Sequence, residues 1–419
     1  IALLHSRPTP TTGNKPTARF RCSSQRRVPA EGINPMDVEI NGTCDEPFTK
    51  IREVLEANLR AGEDVGASVA VDVAGEMVVD LWGGWVDEER SAPWAADTIT
   101  NVWSTTKTMA ALCLLILVDR GDVDVDEPVA TYWPEFAANG KEQVLIRHIM
   151  SHTSGLSGWD QPVSVDDLYD WDKSTGMLAA QAPWWTPGSA SGYHAISQGH
   201  LIGEVVRRVT GSSLGTFFSD VVATPLDADF HIGLPESEFD RVSNVIPPPA
   251  VDLDLSSIDP DSVGIKTFTG PMLPGAQVSW TTPWRTAEIP AANGHGNARA
   301  VARIQSIVAN GGSAHGLSLL SPETVDRIFS VQASGVDQVL GMPVTMGIGY
   351  GIADPATMPF FPGGRICYWG GWGGSLIIVD VDRRMTIAYM MNKMQAGLVG
   401  DQRGAALVMA AYEAIGVNF

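Results

Sequence analysis

The chain has little cysteine, little positive charge and no long apolar run. Four cysteines in 419 residues, at 22, 44, 113 and 367, are too few for a disulfide framework. Cys113 lies inside an apolar stretch, where a thiol serves as a small core residue. This usage points to a reducing compartment, and the expected location is the cytoplasm. The longest apolar run, Met109–Val118, has ten residues, short of the roughly 18 that a membrane span needs. No membrane segment is expected. Lysine and arginine total 28 against 48 acidic residues, for a net charge of −20, and a surface of that sign repels phosphate backbones, so nucleic acid is not an expected partner.

The few cations are unevenly placed. Residues 1–35 hold six basic residues against Glu31 alone, a local +5 that leaves −25 for the rest. That segment is rich in Pro, Thr, Ser and Arg and has no periodic apolar pattern. It reads as a disordered, non-native tail, with Met36 as a candidate natural start.

What is present is a chain with 44% hydrophobic residues, enough for a large core. "GASVAVDVAGEMVVDLWGG" (66–84) reads as a β-hairpin, and "SLIIVDVDRRMTIAYMMN" (375–392) as a second one turning at Asp382–Arg384. Helical patterns flank them at 46–61 and 402–415. Strands from both ends with helices outside them imply an α/β fold, an antiparallel sheet layered with helices. Between them lie helical patterns at Gln143–Met150 and Ile196–Val209, and a wandering stretch at 236–275 rich in Pro, Asp and Ser. The expected division is an α/β domain from 36–136 and 297–419, with a mainly helical domain, 137–296, inserted. There are no internal repeats.

The chemistry starts at "NVWSTTKTMAALCLLILVDRG" (101–121). Met109–Val118 is apolar on every side, so the helix starting near Ser104 should be buried, with Gly121 just past its end. Ser104 and Lys107 are three residues apart and share one face at its mouth. A lysine in a water-poor site loses its preference for charge and can act as a base. A serine at a helix N-terminus meets free N–H groups that favour developing negative charge. SxxK is the arrangement of β-lactamases and penicillin-binding proteins, although four residues alone are weak evidence.

Three further segments carry more. "IRHIMSHTSGLSG" (146–158), "PGSASGYHAISQGHLIGEVVRRVTG" (187–211) and "YWGGWGGS" (368–375) stand in the order and spacing of the serine β-lactamase-like family. From about 45 to 415 the chain resembles that family, and within it the family VIII carboxylesterases related to class C β-lactamases. The resemblance implies a β-lactamase-like fold and an acyl-enzyme reaction. Ser104 would be the nucleophile, Tyr193 the general base with Lys107 beside it, and the N–H groups of Ser104 and Trp372 the oxyanion hole. Trp369, Gly370 and Gly371 would bind substrate. A phenol ionises near pH 10, so a nearby ammonium should favour phenolate; whether Tyr193 or Lys107 takes the proton stays open here. Two departures matter. Trp369-Gly370-Gly371 replaces the Lys-Thr-Gly of a β-lactamase, and Tyr193-His194-Ala195 replaces Tyr-x-Asn. Both lost groups contact a β-lactam.

The expected activity is therefore a serine carboxylesterase for short-chain or aryl esters, with weak β-lactam hydrolysis on the side. The alternatives are a β-lactamase or D-amino-acid peptidase, an acyltransferase, or a catalytically silent penicillin-binding relative. No cofactor or metal is expected, because His148 and His152, although spaced i, i+4, lack the Glu of HExxH. The expected partner is a small ester. Three other features compete for attention. "GSSLG" (211–215) fits the GxSxG nucleophile elbow, but Ser213 follows a helix rather than a strand and reads as a cap. Asn293 and His295 either line the cleft or cap a helix. The loop residues Trp159, Trp184, Trp185 and Trp284 are candidate walls of an acyl pocket.

Overall fold

The computed structural model describes residues 38–249, 259–270, 275–354 and 361–417; the expectation for 1–35 and parts of 236–275 lie outside them. Each expected hairpin forms. Strands β2 (Gly66–Val73) and β3 (Glu76–Gly84) join through Ala74 and Gly75, whose φ angles of 56° and 86° give the doubly left-handed turn that matches strand twist. Strand β1 is Ile40–Cys44. Continuing along the chain within this sheet, β4 is Ala333–Val336, β5 Pro343–Met346, β6 Gly351–Ile352, β7 Ile366–Gly370, β8 Leu376–Asp380 and β9 Met385–Met391. They form one nine-stranded sheet in the spatial order β1-β3-β2-β9-β8-β7-β6-β5-β4, antiparallel throughout. The two ends of the chain meet where β9 pairs with β2, from Met385 opposite Val73 to Met391 opposite Ala67.

Helices cover both faces. The main helices are α1 (Thr49–Ala61), α2 (Thr106–Asp119), α3 (Ser197–Thr210), α4 (Ala298–Ala309) and α5 (Gln402–Ala414). Alternation along β9 shows the layering: Thr386 Oγ1 donates to Ala302 O of α4 at 3.1 Å, whereas Tyr389, of opposite parity, lies under Arg403 of α5 with 5.8 Å from guanidinium to ring. α1 packs beside α5. This is the antiparallel α/β architecture that the hairpins implied.

α2 differs from the others in having no polar face. Every residue from Thr106 to Leu117 is buried, so the helix runs through the interior, against α3. It begins at Thr106, and Trp103–Thr105 form a 3₁₀ turn before it. Ser104 is therefore one turn ahead of the helix that the sequence placed it on. A small sheet lies alongside, in which Asn101 pairs with His295. The Val102 N–H donates to Gly294 O and the Gly294 N–H donates to Thr106 Oγ1, each at 2.9 Å, which brings the 289–296 loop to the start of α2. The helix expected from Gln143 is shorter than its pattern, Ile146–Met150, because Val144 and Leu145 extend to pair with Val129 and Pro128. Among the described residues no helix is long and apolar enough to cross a membrane.

Candidate active site

The turn carrying Ser104 is strained and tightly held. Trp103 has φ 48°, a left-handed backbone that a bulky residue adopts only when its surroundings impose it. They do. Its ring packs on Trp284 at 5.6 Å and on Trp372 at 5.0 Å between centroids, and the preceding residue is bonded at both its N–H and its carbonyl. The result aims Ser104 Oγ at two groups. Lys107 Nζ lies 3.0 Å from Ser104 Oγ, and the Tyr193 hydroxyl donates to Ser104 Oγ at 2.5 Å.

Lys107 is buried with no carboxylate bound to it among the described residues. Its amine reaches Ala195 O at 2.7 Å and Ala291 O at 2.9 Å, and it sits 4.7 Å from the centre of the Tyr193 ring. Burial holds its pKa well below 10.5. A neutral amine has two N–H bonds and one lone pair. Carbonyls can only accept, so in the neutral form the two N–H bonds would go to Ala195 and Ala291 and the lone pair would face Ser104 Oγ, whereas an ammonium would donate to all three. Burial likewise pushes the Tyr193 phenol up to about 12, against a smaller opposing effect of its bond to Ser104. Both shifts run against the charged forms, whereas an ammonium beside the phenol would favour phenolate. With no counter-ion among the described residues, desolvation is the largest influence on each group and disfavours both charged forms.

Tyr193 is fixed from behind. Asp337 Oδ1 accepts its backbone N–H at 3.0 Å and those of Val339 and Leu340 at 2.9 Å, tying the tyrosine to the loop between β4 and β5. Its ring packs with Trp369 at 5.5 Å and with His152 at 5.1 Å. Tyr193, Trp369, Val339, Val344 and Met346 form an apolar cluster of their own, edged by the half-buried Val263, Leu340 and Val399.

Trp369 and Gly370 end β7, and Gly371 begins the turn into β8. A Cβ on Gly371 would lie 2.3 Å from Ser375 Oγ, 2.4 Å from Val102 O and 3.1 Å from Ser104 N, so only glycine admits this approach of the turn to the serine. The Trp372 N–H, next along, has no backbone acceptor among the described residues.

The structure thus brings together Ser104, Lys107, Tyr193, Trp369 and the Gly370–Trp372 turn. It sets the competing features apart. Ser213 caps the helix Leu214–Phe218, accepting from the Thr216 N–H at 3.2 Å. His148 Nδ1 takes the Leu145 N–H, and His152, beyond the helix end with φ 61°, takes the His194 N–H, so the pair does not converge. Asn293 and His295 are fully buried; Asn293 bonds Ile289, Trp284 and Ala287 and shapes the loop whose Ala291 carbonyl holds Lys107. Trp159 and Trp184 line a cavity together with Val163, Lys266 and Gly270, and the indole N–H of each of the four tryptophans is bonded away from Ser104. Trp284 packs in the core with its N–H on Asn101, Trp159 and Trp185 donate to the carbonyls of Ser174 and Ala190, and Trp184 donates to Asp160. Asp337 and the carbonyls of Ala195 and Ala291 were not found from sequence. Nothing local marks them.

A serine hydroxyl held between a buried amine and a phenol, on an antiparallel sheet layered with helices, defines the class of serine acyl-transfer hydrolases. Residues 52–410 match the beta-lactamase family, and the chain belongs to it. It is 36% identical over 368 residues to "Esterase/beta-lactamase LipL" of Mycobacterium tuberculosis, covering 85% of this chain and 84% of that protein. Among solved structures it is similar to a family VIII carboxylesterase, with 40% identity and a TM-score of 0.84 over 90% of this chain and 100% of the other. A penicillin-binding protein homolog from Caulobacter crescentus gives 39% identity and a TM-score of 0.82 over the same shares.

Proposed function

We propose that the protein is a serine carboxylesterase acting through an acyl-enzyme on Ser104. The observation that carries this reading is the contact of Ser104 Oγ with Lys107 Nζ at 3.0 Å and the Tyr193 hydroxyl at 2.5 Å. Lys107 is the base: its lone pair takes the hydroxyl proton as Ser104 attacks the ester carbonyl. The N–H groups of Ser104 and Trp372 receive the oxyanion. Tyr193, protonated at rest, gives its proton to the departing alkoxide, and the proton on Lys107 then restores the phenol. Water repeats the sequence in reverse to free the acid. The expected two-lobe division belongs to this reading, with Ser104 and Lys107 on the framework and Tyr193 on the 137–296 insert.

The walls point to the substrate. Trp369 offers apolar area and no cation to pair with a carboxylate, and Val263, Leu340 and Val399 extend that surface. Neutral short acyl or aryl esters suit it, at roughly 25 cal/mol per Å² buried. The test is covalent labelling by a fluorophosphonate, with a panel of nitrophenyl esters measured alongside nitrocefin. Labelling at Ser104 with ester turnover supports the proposal; labelling elsewhere, or nitrocefin as the better substrate, overturns it.

A further inference from the structure

We infer that Ser375 and Thr105 are positioning residues of the reaction: a hydroxyl bridge between them sets the separation of the Ser104 and Trp372 N–H groups. The inference rests on the acyl-transfer reading above. Ser375 Oγ donates to Val102 O at 2.7 Å and accepts from Thr105 Oγ1 at 2.9 Å, so one hydroxyl grips the nucleophile turn on both sides of Ser104. Ser375 and Thr105 are 2% and 0% exposed, so no water competes for these bonds. At the other end of the same short turn, Ser375 O accepts the Gly371 N–H at 2.8 Å. Ser375 is therefore bonded to Val102, Thr105 and Gly371 at once, and the two oxyanion donors hang from the segments it joins.

An oxyanion hole works because its donors stand ready at the place where charge develops, with no reorganisation at the moment of reaction. Here the two donors come from segments 268 residues apart in the chain, one of them behind the strained Trp103. Without a tie, the Ser104 turn can relax toward ordinary backbone and the donors separate. The loss would fall on the transition state and leave ground-state binding in the apolar walls unchanged.

The test compares kcat/KM for nitrophenyl butyrate with that for its thiono analogue, whose C=S sulfur is a poor hydrogen-bond acceptor and gains little from the hole. Ser375→Ala and Thr105→Val should lower kcat on the oxygen ester by about 10- to 100-fold with KM changed less than about 2-fold. Their oxygen-to-thiono ratio should fall by about 10-fold. Thr105→Ser, which keeps the hydroxyl, should restore the ratio. Partial unfolding lowers both rates in proportion and leaves the ratio alone. Should Ser375→Ala not fold, the Thr105→Val and Thr105→Ser pair decides. An equal ratio in wild type and Thr105→Val overturns the inference while leaving the esterase reading standing; full ester turnover by Ser104→Ala overturns that reading itself.

Discussion

Replacing Lys107 by methionine should remove activity and change how stability responds to pH. Lys107 is buried, bonded among the described residues to two carbonyls and to Ser104 Oγ, and burial holds its pKa well below 10.5. Between its folded pKa and 10.5, the unfolded chain carries a proton on this lysine that the folded chain does not. By linkage, stability then rises with pH. The slope is about 1.4 kcal/mol per pH unit, or about 2.7 kcal/mol from pH 7 to 9 wherever the folded amine stays neutral throughout. The variant lacks this contribution. Its loss of donors to Ala195 O and Ala291 O costs about 1–3 kcal/mol per carbonyl, an offset that does not depend on pH.

The nearby groups do not blur the comparison. His152 is held well below 6.5 by burial, and Tyr193 is raised to about 12, so neither titrates between pH 7 and 9. Urea unfolding of wild type and Lys107→Met at pH 7, 8 and 9 gives the difference directly. The wild type should gain on the variant as pH rises. A constant difference, or one that shrinks, would mean that Lys107 is charged in the fold, and the neutral-base mechanism would fall with it.

The other predictions concern the nucleophile, the substrate and the tyrosine. Ser104→Ala should abolish fluorophosphonate labelling, whereas Ser213→Ala should lose about 1 kcal/mol of stability as a cap and keep its rate within a few-fold, as melting and steady-state assays would show. For nitrophenyl butyrate, kcat/KM should exceed that for nitrocefin by about 10²-fold, since a missing charged contact is worth roughly 10- to 100-fold and the walls are apolar. Tyr193→Phe should lower kcat by at least about 10²-fold, and Lys107→Met/Tyr193→Phe should be scarcely worse than either single variant. Multiplicative losses would mean that the two groups act independently.

Much of this was legible in the sequence, for local reasons. The hairpins at 66–84 and 375–392 announce themselves through β-branched runs and turn residues, and α2 through an apolar run with no polar side. Ser104 and Lys107 are neighbours on one turn, so their chemistry shows in four letters. The tryptophans could not be sorted from sequence, which shows an indole's size but not its surroundings: Trp284 is wholly buried with its N–H on Asn101, whereas Trp184 and Trp185 stay half-buried and Trp159 and Trp184 line a cavity. Asp337, Thr105 and Ser375 were invisible for the opposite reason. Their partners lie 144 and 270 positions away, and a lone aspartate or hydroxyl carries no periodicity.

The question posed by a lysine at the mouth of an apolar helix has a physical answer in the relation between α2 and the 289–296 loop. An exposed Lys107 would keep its proton, and a buried one beside a carboxylate would keep it more firmly. Only burial among neutral acceptors yields a neutral amine, and α2 provides the burial because it has no polar face to turn outward. The acceptors come from elsewhere. Ala195 O arrives just ahead of α3, and Ala291 O on a loop that Asn293 shapes through three hydrogen bonds. Asn293 therefore belongs to the reaction at one remove, although it never reaches the cleft. Losing its side chain would free the loop, admit water to Lys107 and raise the amine's pKa toward its ordinary value. In Asn293→Ala the rise of kcat/KM that follows loss of the Lys107 proton should accordingly shift to higher pH, while its plateau falls less than in Lys107→Met. A profile that keeps its wild-type midpoint would show that the loop only carries the carbonyl and does not keep the base dry.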